Sequence, residues 1–318
     1  MSLPVIVARK QVEAEDIFSF ELVSRAGEAL PPFSAGSHVD VALPGGMIRQ
    51  YSICNDPAES HRYLLCVQRE GESRGGSRAL ADDIGEGDAL EISMPRNHFP
   101  LMPNAPHYLL LGGGIGITPI LCMAERLAQI GTHFEMHYCT RNLQRTAFAA
   151  RIAAAPFAAQ VSLHHDDGPA EQRFDRDKVL SSVPEGTHLY ICGPKGFMDW
   201  ILDGARSSGW DSSRLHMEYF SSGVIDKSAD GSFDVKLASS NRVIHIPAEK
   251  SVSEALAAEG IEIPISCESG VCGTCLTRVL DGIPEHRDVY LTDEEKAKND
   301  QFLPCCSRAE SALLVLDL

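Results

Sequence analysis

Short alternations of apolar and polar residues fill the first third of the chain. His38-Val-Asp-Val-Ala-Leu43 places an apolar side chain at every second position, which marks a half-buried strand. Comparable runs at 5–7, 19–23, 48–54, 63–69 and 89–93 are separated by Pro and Gly clusters. Six strands at this spacing predict a small antiparallel β-barrel. A short helix is expected after Ser77.

From His107 the pattern changes. Tyr108-Leu-Leu-Leu111 is apolar on both faces and runs into Gly112-Gly-Gly-Ile-Gly116. Thr118 is then expected to cap a helix, with Pro119 at its first position and Gly131 closing it. Strands at 134–139, 160–164, 188–192 and 215–220 alternate with helices at 146–156 and 195–207, which predicts a parallel sheet covered on both faces. Residues 221–231 are small and polar, as in a linker. After them, 233–237 and 243–246 read as a hairpin. Ser251-Val-Ser-Glu254 is a capping box opening a helix through Ala258 that stops at Gly260. The expected organisation is a barrel over 1–101, an α/β domain over 102–222, a linker over 223–230 and an α+β, ferredoxin-like (β-grasp) domain over 231–318.

Composition narrows the classes. With 318 residues, 44% apolar and 23% charged, the chain can bury two or three cores. No apolar run approaches the ~18 residues that span a bilayer, so no membrane partner is expected. Met1-Ser-Leu-Pro-Val lacks the features of a signal peptide. Ten cysteines in that context point to a reducing, cytoplasmic setting. A net charge of −16 argues against nucleic acid as a partner. Residues 231–318 hold 15 acids against 8 bases, a net of −7, which could steer a basic partner or serve solubility alone.

Four cysteines carry the most specific chemistry. Cys267, Cys272 and Cys275, followed after 29 residues by Cys305, have the Cys-x4-Cys-x2-Cys…Cys spacing of a plant-type 2Fe–2S cluster. Gly270 and Gly273 let the loop adopt positive φ and bring N–H groups toward sulfur. A four-cysteine zinc site usually shows two short Cys-x2–4-Cys knuckles, and only one is present.

Two further motifs are weaker alone. In Arg49-Gln-Tyr51-Ser52, alternation sends Arg49 and Tyr51 to one face, where a guanidinium can hold a phosphate and a ring can cover an isoalloxazine; Ser52 could bond the flavin's reactive edge. Arg74-Gly-Gly76-Ser77 offers free N–H groups at a helix start, suited to a terminal phosphate, although an ordinary turn would look alike. The Gly112–Gly116 run departs from Gly-x-Gly-x-x-Gly because Pro119 occupies the third glycine position, yet it supplies the turn and helix start that bind pyrophosphate. Cys192-Gly193-Pro194 ends a later strand, where ligands sit in open α/β sheets. Cys54, Cys66 and Cys122 fall in no motif and are expected in the core. His164-His165-Asp166-Asp167 resembles a metal motif but is expected to end a strand in a solvated turn.

In this order the motifs resemble the phthalate dioxygenase reductase family, over essentially the whole chain, and are similar also to vanillate O-demethylase reductase subunits. The resemblance implies an FMN-binding barrel, an NADH-binding domain and a C-terminal 2Fe–2S domain. Arg49, Tyr51 and Ser52 would contact FMN, Ser52 near N5, and Arg74, Gly76 and Ser77 would approach its phosphate. Gly114, Thr118 and Cys192 would contact the pyridine nucleotide, and Phe220 would cover the flavin face. Ser52, Cys192 and Phe220 thus flank the reacting atoms. Cys305 fits the fourth-ligand position, with Cys306 a departure from the family's apolar residue there. The implied activity is NADH-dependent reduction of a terminal, Rieske-type oxygenase by single electrons. Two other readings stay open: a free-standing NAD(P)H-dependent flavin or haem-protein reductase, and a redox-sensing iron–sulfur protein. The local sequence does not separate FMN from FAD or NADH from NADPH. Relays of this kind can work as monomers.

Overall fold

The computed structural model describes residues 2–71, 75–221 and 230–318; Arg74 and the expected linker residues 223–229 lie outside them. The chain divides into two compact units, Met1–Glu218 and Tyr219–Leu318.

The first unit opens with β1 (Ser2–Ala14), β2 (Ile17–Ser24), β3 (Ser37–Ala42), β4 (Ile48–Ser52), β5 (Tyr63–Gln68), β6 (Ala89–Ser93) and β7 (Arg96–Asn97). All pair antiparallel, in the order β4-β3-β6-β1-β2-β5 with β7 on β3. One antiparallel bridge, Ile53 to Leu65, brings the two edges together. Val5, Val7, Phe20, Leu22, Val39, Val41, Ile53 and Leu65 fill the interior. The expected helix begins at Gly76, one residue before Ser77: α1 (Gly76–Arg78) runs on into a wider turn through Asp83.

Next come β8 (Tyr108–Gly113), α2 (Ile117–Gln129), β9 (Phe134–Thr140), α3 (Ala149–Ala154), β10 (Val161–His165), α4 (Arg176–Ser182), β11 (His188–Cys192), α5 (Lys195–Ser207) and β12 (Leu215–Glu218). The sheet is wholly parallel, in the order β10-β9-β8-β11-β12. Leu109, Leu110 and Leu111 are fully buried, so both faces of β8 are covered, as its unbroken apolar run requires. One core joins this sheet to the outer face of the barrel: Ile17, Cys54, Leu64 and Cys66 pack with Ile120, Cys122, Tyr138 and Cys192. Cys54, Cys66 and Cys122 are buried there as expected.

Three local expectations are corrected. Thr118 does not cap α2, which begins one residue earlier, at Ile117; Gly116 is the N-cap, Thr118 is the second helical residue, and its hydroxyl donates to the Ile115 carbonyl at 3.1 Å. The helix expected over 146–156 is confined to α3, because Phe148 takes a left-handed φ of 59° immediately before it. The last parallel strand ends at Glu218 and not at residue 220.

In the second unit β13 (Phe233–Leu237) and β14 (Val243–Ile246) form the expected hairpin, and Ser251 and Glu254 cap α6 (Val252–Ala258) reciprocally. β15 (Thr277–Asp281), β16 (Pro284–Glu285), α7 (Asp293–Lys296), β17 (Gln301–Phe302), β18 (Arg308–Ala309) and β19 (Leu313–Leu316) follow. β19 inserts parallel to β13, giving the mixed order β14-β13-β19-β15-β17 over which α6 closes the core. Among the described residues, no helix is long and apolar enough to cross a membrane.

Candidate functional site

The first unit gathers two of the motifs around β4 and α1. Arg49 lies on β4 opposite Val41, and Tyr51 opposite Val39, so both side chains share a face. A Cβ on Gly76 would sit 2.6 Å from Arg49 Cγ and 2.8 Å from its Nε. The guanidinium therefore crosses bare backbone at the helix start, and only glycine permits that approach. Arg49 Nη1 also donates to the Ile48 carbonyl at 2.7 Å. Ser77 spends its hydroxyl accepting from the Glu70 N–H at 3.3 Å. Tyr51 is half-buried against the barrel core, and burial pushes its phenol up to about 12.

The parallel sheet brings a second pair of segments together at the carboxyl end of its strands. The strand order reverses between β8 and β11, the place where open α/β sheets bind ligands. A Cβ on Gly116 would lie 2.3 Å from the Cys192 carbonyl oxygen, and one on Gly193 would lie 3.0 Å from Gly113 Cα. The two glycine segments are thus in backbone contact. Gly114, at φ 52°, has open space where a side chain would stand, which leaves its backbone accessible. Thr118 is buried and shapes the turn from inside.

Between these two places stands a residue the sequence did not single out. Glu218, at the end of β12, is paired in register with Cys192 and accepts from Ser52 Oγ at 3.4 Å. Burial pushes its carboxyl up to about 8. The Cys192 thiol is fully buried, and burial together with Glu218 holds it well above its ordinary value. Ser52, Glu218 and Cys192 therefore form one line from the barrel to the parallel sheet. Phe220 is exposed two residues beyond β12, at the start of the second unit.

In the second unit Cys267, Cys272 and Cys275 sit on one loop ahead of β15. The Cys267 and Cys272 thiols interact with each other, and Cys305 interacts with both Cys275 and Cys306. That interaction with Cys272 draws the Cys267 thiol well below its ordinary range and raises Cys272. Thiols gathered from one loop and from Cys305 suit a two-iron cluster, in which each tetrahedral iron takes two thiolates and two sulfides. The Ser269 N–H points at Cys267 Sγ from 3.4 Å, the kind of donor that stabilises charge on ligating sulfur. Gly270 and Gly273 have φ of 72° and 70°. A Cβ on Gly270 would lie 2.6 Å from Cys306 Sγ, so Cys306 fills the space behind the loop, where it packs with Leu291 and Leu303.

Comparison with known proteins agrees with both halves. A family described as "2Fe-2S iron-sulfur cluster binding domain" matches residues 235–310. The chain is 51% identical over 316 residues to a vanillate O-demethylase oxidoreductase of Pseudomonas sp. (strain HR199 / DSM 7063), covering 99% of this chain and 100% of the relative. The solved structure of phthalate dioxygenase reductase, a modular structure for electron transfer from pyridine nucleotides to 2Fe–2S, superposes with a TM-score of 0.83 at 42% identity, covering 100% of this chain and 98% of that one. The chain belongs to the phthalate dioxygenase reductase family.

Like its relatives in the phthalate dioxygenase reductase family, it is an oxidoreductase with a flavin- and nicotinamide-type reductase fold and a 2Fe–2S ferredoxin domain. An intact type IV self-sufficient cytochrome P450 monooxygenase also matches, at 36% identity and a TM-score of 0.80, over 100% of this chain and 41% of that one.

Two further residues escaped sequence reasoning in the cluster domain. Asp288 is buried and accepts from the Tyr290 N–H at 3.2 Å and the Leu291 N–H at 2.8 Å, which buttresses the cysteine loop. Arg308, in the Cys-Cys-Ser-Arg segment, donates to the Gly231 and Lys250 carbonyls and pairs with Asp230 at 3.6 Å. A lone acid or arginine carries no period or spacing that would distinguish it from a surface charge.

Proposed function

We propose that this protein passes electrons singly from NADH, through FMN and a 2Fe–2S cluster, to a terminal Rieske-type oxygenase in the cytoplasm. The barrel, residues 1–101, holds FMN; residues 102–222 hold NADH; residues 231–318 hold the cluster; and 223–230 link them. The supporting observation is the meeting of Arg49 with Gly76, and of Gly116 with Cys192, within one unit that shares the Ser52–Glu218 bond. FMN, when bound, supplies the conversion of a two-electron hydride into single electrons.

The chain's own residues bind and orient. Arg49, with Arg74, Gly76 and Ser77, holds the phosphate; Tyr51 covers the ring system and Ser52 meets the N5 edge. Gly114 lets the pyrophosphate of NADH approach the backbone, Thr118 shapes that turn, and Cys192 leaves room for nicotinamide. Phe220 covers the flavin until nicotinamide arrives. Cys267, Cys272, Cys275 and Cys305 ligate the iron.

Anaerobic addition of NADH tests this reading. Both the flavin and the iron–sulfur absorption should bleach, NADH should be used in preference to NADPH, and a Rieske oxygenase should then be reduced. Arg49→Ala should purify with depleted FMN while keeping its iron. Iron that stays oxidised, or unchanged flavin content in the variant, would contradict it. A second reading, reductase of a haem protein, is favoured by the likeness to the self-sufficient P450 and predicts faster transfer to a P450 than to any Rieske protein.

A further inference from the structure

Isolated apolar side chains on a surface are ordinary, but three stand around one cysteine loop. Ile265, Leu276 and Tyr290 are 41%, 40% and 44% exposed. Ile265 precedes Cys267 by two residues. Leu276 follows Cys275, its N–H bonded to the Gly273 carbonyl at 3.0 Å. Tyr290 lies directly on the loop: a Cβ on Gly273 would stand 2.2–2.7 Å from three carbons of its ring.

The ring is exposed and yet fixed. Asp288 accepts from the Tyr290 and Leu291 N–H groups, the Val289 N–H bonds to the Gly270 carbonyl at 3.0 Å, and Lys296 Nζ bonds to the Asp288 carbonyl at 2.8 Å. An aromatic already held in place loses little freedom on binding, which is the property of interface anchors. Of the four proposed ligands, Cys272 and Cys305 are half-exposed while Cys267 and Cys275 are buried, so the loop reaches the surface at Cys272, next to the glycine that the Tyr290 ring covers.

Charge selects the occupant. Exposed Glu262 precedes Ile265 along the chain, and exposed Asp293 and Glu294, in the first turn of α7, follow Tyr290. With a net charge of −7 over residues 231–318, the surface repels acidic proteins and attracts a basic rim.

We propose that Tyr290, Leu276 and Ile265 form the docking face for the protein electron acceptor, an apolar patch within a basic rim, with Tyr290 as its anchor. This rests on the proposed electron relay and adds where its electrons leave. Mitochondrial cytochrome c, whose haem edge is rimmed by lysines, serves as the probe. In the full-length holoenzyme, the Tyr290→Ala, Leu276→Ser double variant should lose about tenfold in kcat/KM for cytochrome c and bind it more weakly at low ionic strength. NADH-driven bleaching of the cluster and its electron paramagnetic resonance spectrum should not change, and Tyr290→Phe should behave as wild type. Asp293→Lys with Glu294→Lys, on an exposed turn, should weaken binding and flatten the salt dependence without touching the loop. Cytochrome c kinetics and binding that are unchanged in both sets would overturn the docking face. Cluster bleaching slowed as much as cytochrome c reduction would assign the face instead to this chain's own flavin unit and overturn it also. Failure of NADH to bleach the wild-type cluster would sink the relay itself, a result visible before any acceptor is added.

Discussion

Glu218 keeps its proton over a pH range in which most carboxyls have lost theirs. Its ordinary value is 4.5, and burial lifts it to about 8. Between those values the folded state binds more protons than the unfolded state, so stability falls as pH rises. The contribution of the neutral carboxyl is therefore full below about pH 4.5 and is lost as pH climbs through 8. Glu218→Gln removes this titration. Melting temperatures at pH 5, 6.5 and 8 should fall less steeply in the variant apoprotein than in the wild type; parallel slopes would show that Glu218 ionises freely in the folded chain. The same residue links Ser52 to Cys192, so its protonation bears directly on the place proposed for hydride transfer.

At the scale of elements, the crevice proposed for nicotinamide is a contact between two backbone turns. Gly116 touches Cys192 and Gly193 so closely that no side chain fits, and neither turn can retreat because β8 and β11 are neighbouring strands of a covered sheet. Gly116→Ala should cost about 1–3 kcal/mol, the usual range for overpacking. Urea unfolding should register that loss, the KM for NADH should rise, and the visible iron–sulfur spectrum should be retained. An unchanged KM would mean that the crevice tolerates widening. In the cluster domain the backbone bond from the Val289 N–H to the Gly270 carbonyl ties the 288–292 segment to the ligand loop, and the Tyr290 ring lies over Gly273.

For the whole molecule, the proposed relay assigns the flavin and nicotinamide sites, Phe220 apart, to residues of one compact unit and the iron to residues of the other. Cys272→Ser should therefore abolish the iron–sulfur spectrum and cytochrome c reduction, yet leave NADH-dependent reduction of dichlorophenolindophenol, a two-electron dye, near the wild-type rate. Loss of dye reduction in a folded variant would show that the two units do not work independently.

How much was readable in advance follows from the range of the forces involved. Period-2 alternation and unbroken apolar runs are local, so Ala89–Ser93, His188–Cys192, Lys195–Ser207 and both strands of the ferredoxin hairpin are found where the sequence places them. The Ser251 capping box is likewise a four-residue device and forms as read. Cysteine spacing, fixed by the span of a metal cluster, marks the iron site without any knowledge of the fold. Thr118 lies inside the helix because a cap depends on where the preceding glycines turn the chain, and the helix expected from 146 starts only at Ala149 because the left-handed backbone of Phe148 interrupts it. Glu218 and Arg308 act through partners dozens to more than a hundred residues away, and Asp288, whose own bonds are local, acts on a segment that meets the cysteine loop only after folding. Sequence alone thus determined the kinds of element and their order, and it nominates the thiols proposed to hold iron, since each is written in local pattern or spacing. Tertiary structure decided which carboxyl stands beside Ser52, which glycines are irreplaceable and which aromatic lies exposed on the cluster loop, because those depend on distances between strands that the chain order does not contain.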